Sequence, residues 1–152
     1  RIIGDLTAMR QHMTRRADVR VVLGGALRPG RPGERLAPGT VEEAYLAARA
    51  GKPLIVAGGF GGAAGLIAEV ILGTADPAQI DELAGRFATP WASNGERAVS
   101  FAEMIEALGS PGVLRNGLTD GENRELLRSR DPNTVSELIQ RSIRRIGSHH
   151  AH

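Results

Sequence analysis

The sequence predicts an α/β fold: a Rossmann-like parallel sheet with flanking helices, followed by a helical C-terminal part. Three observations predict it. Two short, branched apolar runs, 19–23 and 54–57, each end in glycine, at Gly24–Gly25 and at Gly58-Gly59-Phe60-Gly61-Gly62. A helical pattern lies between them, and another follows the second turn. Strand, loop, helix, strand, glycine turn, helix is the alternation of a parallel sheet. Ligands of such sheets bind beyond the carboxyl ends of the strands, where both glycine turns fall.

The elements follow in order. Residues 5–16 read as a helix, with Leu6, Met9 and Met13 on one face and Asp5 as its cap. Residues 26–38 carry Pro29, Gly30, Pro32, Gly33 and Pro38 and read as a loop. A helix starts near Thr40 or Val41, with Glu42 and Glu43 in its first turn, and stops at Gly51 before Pro53. After the second strand a third helix spans 63–72. Asp76-Pro77 opens a helix to Phe87 with Ile80, Leu83 and Phe87 at helical spacing. Helices over 101–108 and 119–127 follow, the latter opened by a capping-box pattern, Thr119-Asp120-Gly121-Glu122. Asp131-Pro132 starts a last helix to about Ile146, with Val135, Leu138, Ile139, Ser142 and Ile143 on its apolar side. Two strands alone make no stable sheet. The expectation is therefore one domain over 1–147 that lacks its N-terminal strands in this sequence, with 148–152 a flexible tail.

Composition narrows the function. With 41% hydrophobic and 24% charged residues the chain is built to fold rather than to remain disordered. It has no cysteine, which excludes disulfides, cysteine zinc sites and thiol catalysis. No apolar run reaches the roughly 18–20 residues of a membrane helix, and no leader pattern is present, so a cytoplasmic location is expected. Aromatic residues make up 3% and the net charge is +2, which argues against nucleic acid as a partner. Lys52 is the single lysine; the other basic residues are arginines, suited to bidentate capture of phosphate or carboxylate, although a GC-rich coding bias gives the same composition.

Several groups are candidates for chemistry. Gly24–Gly25 is a floor for ribose or phosphate, or an ordinary turn at a strand end. The turn Gly58-Gly59-Phe60-Gly61-Gly62 offers helix N-terminal amides to a nucleotide phosphate, or reflects strand–helix packing that only glycine permits. It matches neither the dinucleotide fingerprint nor a P-loop. Gly39 and Thr40 open the second helix. Glu42 and Glu43 either complement its dipole or accept ribose hydroxyls. Arg28, Arg31 and Arg35 form a phosphate clamp or a solvated loop. His149, His150 and His152 read as a tail rather than a metal site, and no metal or prosthetic group is expected. No Ser-His-Asp pattern supports catalysis.

The segments Met9-Arg10-Gln11-His12-Met13, 17–25, Pro38-Gly39-Thr40-Val41-Glu42-Glu43-Ala44 and 51–64 together resemble a SLOG domain. That superfamily includes LOG-type phosphoribohydrolases, the DprA/Smf proteins, the TRPM-channel sensor domain and sensor modules of bacterial antiphage systems of the Thoeris and CBASS type. Residues 116–126 with Asp131-Pro132 resemble the end of the antiphage sensors. The resemblance implies a Rossmann-like fold and a nucleotide-derived ligand, similar to ADP-ribose or a cyclic ADP-ribose isomer. It also implies a homo-oligomer and a fused effector domain of the NAD-cleaving kind, outside this chain. By the same resemblance Arg10 meets phosphate, Arg28 reaches in from the loop, and Glu42 or Glu43 holds ribose hydroxyls.

The sequence departs from the hydrolase pattern. LOG-type enzymes carry Pro-Gly-Gly-x-Gly-Thr-x-x-Glu directly after the strand. Here Leu23-Gly24-Gly25 is separated from Gly39-Thr40-Val41-Glu42-Glu43 by a long insertion. The expectation is thus a non-catalytic sensor whose ligand sits between the two glycine turns. The alternative is a phosphoribohydrolase acting on nucleoside monophosphates through Glu43 and Arg10.

Overall fold

A computed structural model describes residues 2–27, 37–90 and 97–150. Its elements run α1 (Ile2–Arg16), β1 (Arg20–Leu23), α2 (Gly39–Arg49), β2 (Leu54–Ala57), α3 (Gly62–Leu72), α4 (Pro77–Arg86), α5 (Phe101–Leu108), α6 (Asp120–Arg128) and α7 (Pro132–His150). β1 and β2 pair in parallel, from Arg20 opposite Leu54 to Leu23 opposite Ala57. The fold is the predicted one: a Rossmann-like α/β fragment with a helical C-terminal part.

The pleat divides the side chains between two cores. Val22, Leu54 and Val56 enter the larger one, with Val41 and Ala44 of α2, Ile67 of α3 and Phe101 of α5. Ile55 and Ala57 point the other way, onto Leu126, Val135 and Leu138 of α6 and α7. That second cover stops at β2. On β1 Val21 is 40% exposed and Leu23 56%, and α1 leaves Leu6, Met9 and Met13 exposed as well. Among the described residues, then, nothing buries the apolar stripe read from α1. The helix turns Thr7 and Thr14 inward instead, because its inner side meets the charged first turn of α2.

The caps follow the sequence closely. Asp76 accepts from the Ala78 amide at the start of α4. Thr119 and Glu122 close the expected capping box on α6, and Ser100 with Glu103 forms a second on α5. Three boundaries differ from expectation. α1 begins at Ile2, so Asp5 lies inside it. Thr40 does not cap α2; Pro38 holds the cap position, with no side-chain cap bond. α7 continues through His150, past the expected start of the tail. On α7 Ile143, expected on the apolar side, is exposed, and Ile146 is buried in its stead.

The stretch 116–126 is scaffold. Buried Asn116 donates to the Leu54 carbonyl at 3.0 Å and to Asn123 Oδ1 at 2.8 Å, and accepts from the Leu118 amide. Ser142 of α7 donates to the Asn116 carbonyl at 2.6 Å. Arg141 and Arg145 both donate to Glu122 at 2.6 Å. These bonds fix α6 and α7 against the start of β2.

Candidate functional site

The site builds up from the carboxyl end of β1. Gly24 and Gly25 take positive φ angles and turn the chain away from the strand. A Cβ on Gly25 would collide with the Thr40 side chain, and one on Gly39 would lie 2.6 Å from Arg10 Nη2. These two glycines let the first turn of α2, the end of β1 and α1 close on one another.

At that junction sit four charges. Arg10 Nη1 donates to Glu42 Oε2 at 2.7 Å, and Arg10 Nε lies 3.6 Å from Glu43 Oε1. Arg20 Nη1 lies 3.7 Å from Glu43 Oε2. Thr14 Oγ1 donates to the Arg10 carbonyl and accepts from Arg20 Nη2 at 3.4 Å. The Glu42 side chain is only 2% exposed, and its Oε1 is buried without a hydrogen-bond partner. Burial pushes the Glu42 carboxyl up to about 8, against the opposing pull of the Arg10 guanidinium. Burial thus favours the neutral form of Glu42 beside the guanidiniums of Arg10 and Arg20. Two guanidiniums gathered at the start of a helix make an arrangement that attracts anions.

The two glycine turns touch. The Ala63 amide donates to the Gly25 carbonyl at 2.9 Å and the Ala64 amide to the Gly24 carbonyl at 2.8 Å. Two of the α3 amides expected to serve an anion are thereby occupied, and the seam between the turns is closed. Cβ atoms on Gly58 and Gly59 would strike the carbonyls of Leu127 and Ser129 at the end of α6, and one on Gly62 would strike the Gly25 carbonyl. Close packing is sufficient reason for glycine at these three positions. Phe60 stands 46% exposed at the tip of the turn.

The structure thus brings together Arg10, Gly24, Gly25, Gly39, Thr40, Glu42, Glu43 and Gly62. Gly58, Gly59, Phe60 and Gly61 face α6 instead. Arg28, Arg31 and Arg35 lie outside the described residues, as does His152. Sequence reasoning missed Thr14 and Arg20. The signal for Thr14 was its spacing four residues after Arg10 on one helix; Arg20 shares its side of β1 with core-facing Val22. Among the described residues no group of His, Asp and Glu is placed to hold a metal ion, and no helix is long and apolar enough to cross a membrane.

A parallel sheet whose glycine turns meet helix starts at the strands' carboxyl ends defines the class: a Rossmann-like domain. The family model described as SLOG cluster2 matches residues 2–126, and the chain belongs to that family. The matched span covers both glycine turns and the Arg10–Glu42–Glu43 cluster and ends inside α6. No curated protein and no solved structure matches the chain.

Proposed function

We propose that this domain is a cytoplasmic sensor of a nucleotide-derived signal, ADP-ribose or a cyclic ADP-ribose isomer, and that it regulates an attached effector in antiphage defence. The observation that carries the reading is buried Glu42: a carboxyl with an unpartnered oxygen, held by Arg10 at the first turn of α2. A buried polar atom without a partner is costly unless something satisfies it. In this reading Arg10 takes a ligand phosphate, the Glu42 proton is donated to a phosphate oxygen, and Glu43 accepts ribose hydroxyls. Gly25 and Gly39 let Thr40 and Arg10 close around the site, and Arg28 and Arg35 complete the clamp.

No bond need break. A ligand that binds one assembly state more tightly than another shifts the population between them. The domain then works as a homo-oligomer, and the exposed apolar residues of α1 and β1 provide surface for association.

Calorimetry with ADP-ribose and its cyclic isomers tests the reading. Binding is expected, with a loss of at least tenfold in Arg10→Gln and Glu43→Gln. The absence of heat with every one of these ligands would sink it. One observation favours a second reading: a carboxyl protonated near neutral pH is what a general acid for N-glycosidic cleavage requires. It points to Glu42 rather than Glu43 as that acid. Release of free adenine from AMP, abolished in Glu42→Gln, would establish the phosphoribohydrolase.

A further inference from the structure

The turn 58–62 has two sides. Its Gly62 end is bonded to the first glycine turn, while its Gly59–Phe60 end opens into a groove of about 610 Å³ between α3 and the end of α6. That volume lies in the range of small-ligand pockets. Gly61 and, from α3, Gly65 and Ala68 form the floor, and Leu127, Arg128 and Arg130 the opposite wall. No residue of the Arg10 cluster lines it.

Two features at one end of this groove have no role in the scaffold. Phe60 presents its ring to solvent, whereas Phe87 and Phe101 are buried against each other with centroids 5.3 Å apart. Arg128 and Arg130 form no ion pair among the described residues, although six other arginines do. The acidic residue of the groove, Glu69, stands with Thr74 at the other end, roughly 12 Å along α3 from Gly61. The Ala63 and Ala64 amides are occupied by the first glycine turn, so they do not serve an anion in this groove.

We propose that this groove is a second binding site, and that it takes a nucleoside phosphate. The base stacks on Phe60, and the phosphate is held by the guanidinium forks of Arg128 and Arg130, which suit it in shape as well as charge. Stacking on a flat ring accepts any base, so the site selects for a base plus an anion rather than for one nucleotide. The proposal stands whether or not the Arg10 cluster binds a ligand.

Amide NMR of the full chain, titrated with AMP, adenosine and inorganic phosphate, tests it. AMP is expected to shift Gly59, Phe60, Gly61 and Gly65. Phe60→Ala should weaken AMP about tenfold or more, the low end of stacking on one base. Phe60→Leu, which keeps the bulk but not the flat ring, should show the same loss. The double variant Arg128→Gln, Arg130→Gln should bind AMP no better than adenosine and leave adenosine unchanged. The proposal is overturned if millimolar AMP shifts none of the groove amides. It is equally overturned if AMP and adenosine bind alike, or if Phe60→Leu binds as the wild type does. Shifts in the groove with none at Gly39, Thr40 or Glu43 under ADP-ribose would overturn the sensor site and leave this one standing.

Discussion

Replacing Glu42 by glutamine removes one ionisation from the interior and little else. The amide keeps the shape and keeps an acceptor for Arg10. Burial raises the Glu42 carboxyl from 4.5 to about 8, so the folded chain holds its proton where the unfolded chain has released it. Stability therefore falls as pH rises through this window, by about 1.4 kcal/mol per pH unit. Across the whole window the loss is about 5 kcal/mol, and above it the loss is constant. In Glu42→Gln the loss is absent. Urea unfolding followed by circular dichroism, at about pH 5.5, 7 and 8.5, measures both chains. The advantage of Glu42→Gln should grow by about 3 kcal/mol between roughly pH 5.5 and 8. Because every other group titrates in both proteins, the difference isolates Glu42. Parallel pH profiles would refute the buried, protonated carboxyl.

Other substitutions probe the scaffold. Asn116→Ala strands the Leu54 carbonyl and the Leu118 amide in a buried position; it should cost about 2–3 kcal/mol in denaturant unfolding. Gly59→Ala drives a Cβ into the Ser129 carbonyl and should cost about 1–3 kcal/mol by the same measurement, because the end of α6 must shift; an unchanged midpoint would show that this contact is not tight. Arg145 and Arg141, with the Thr119 amide, hold the Glu122 carboxyl far below its ordinary value of 4.5. Its contribution is present above that value and is lost on acidification, so Glu122→Gln should flatten the acid limb of the stability profile.

The strands and the two glycine turns were legible because branched apolar runs and glycine punctuation are local signals. So were the capping boxes at Thr119, a matter of residue type at fixed spacing. The α1 face was misjudged because apolar periodicity shows that a stripe exists, not that this chain covers it. Leu6, Met9 and Met13 stay exposed while Thr7 and Thr14 turn inward toward a charge cluster drawn from three elements. The roles of Gly58, Gly59 and Gly62 depend on carbonyls brought in by α6 and by the first turn, two of them from about seventy residues away in sequence. Glu42 and Glu43 looked equivalent in the sequence. Which one is buried depends on helix phase against α1, and only the packing fixes it.

The division between Glu42 and Glu43 also sets how a ligand would be read. At neutral pH burial favours the uncharged form of Glu42 beside the Arg10 and Arg20 guanidiniums. Ionising Glu42 puts a like charge beside any phosphate bound at Arg10. A phosphate-bearing signal must therefore favour the protonated form, and binding and proton uptake are linked. Affinity for ADP-ribose should fall as pH rises through about 8, and binding near that pH should take up a proton. Calorimetry in two buffers of different ionisation enthalpy would report that proton directly. Glu42→Gln, neutral at every pH, should bind with a flat profile across this range. An equal decline in the variant would place the titrating group elsewhere, and a flat wild-type profile would separate the phosphate from this cluster altogether.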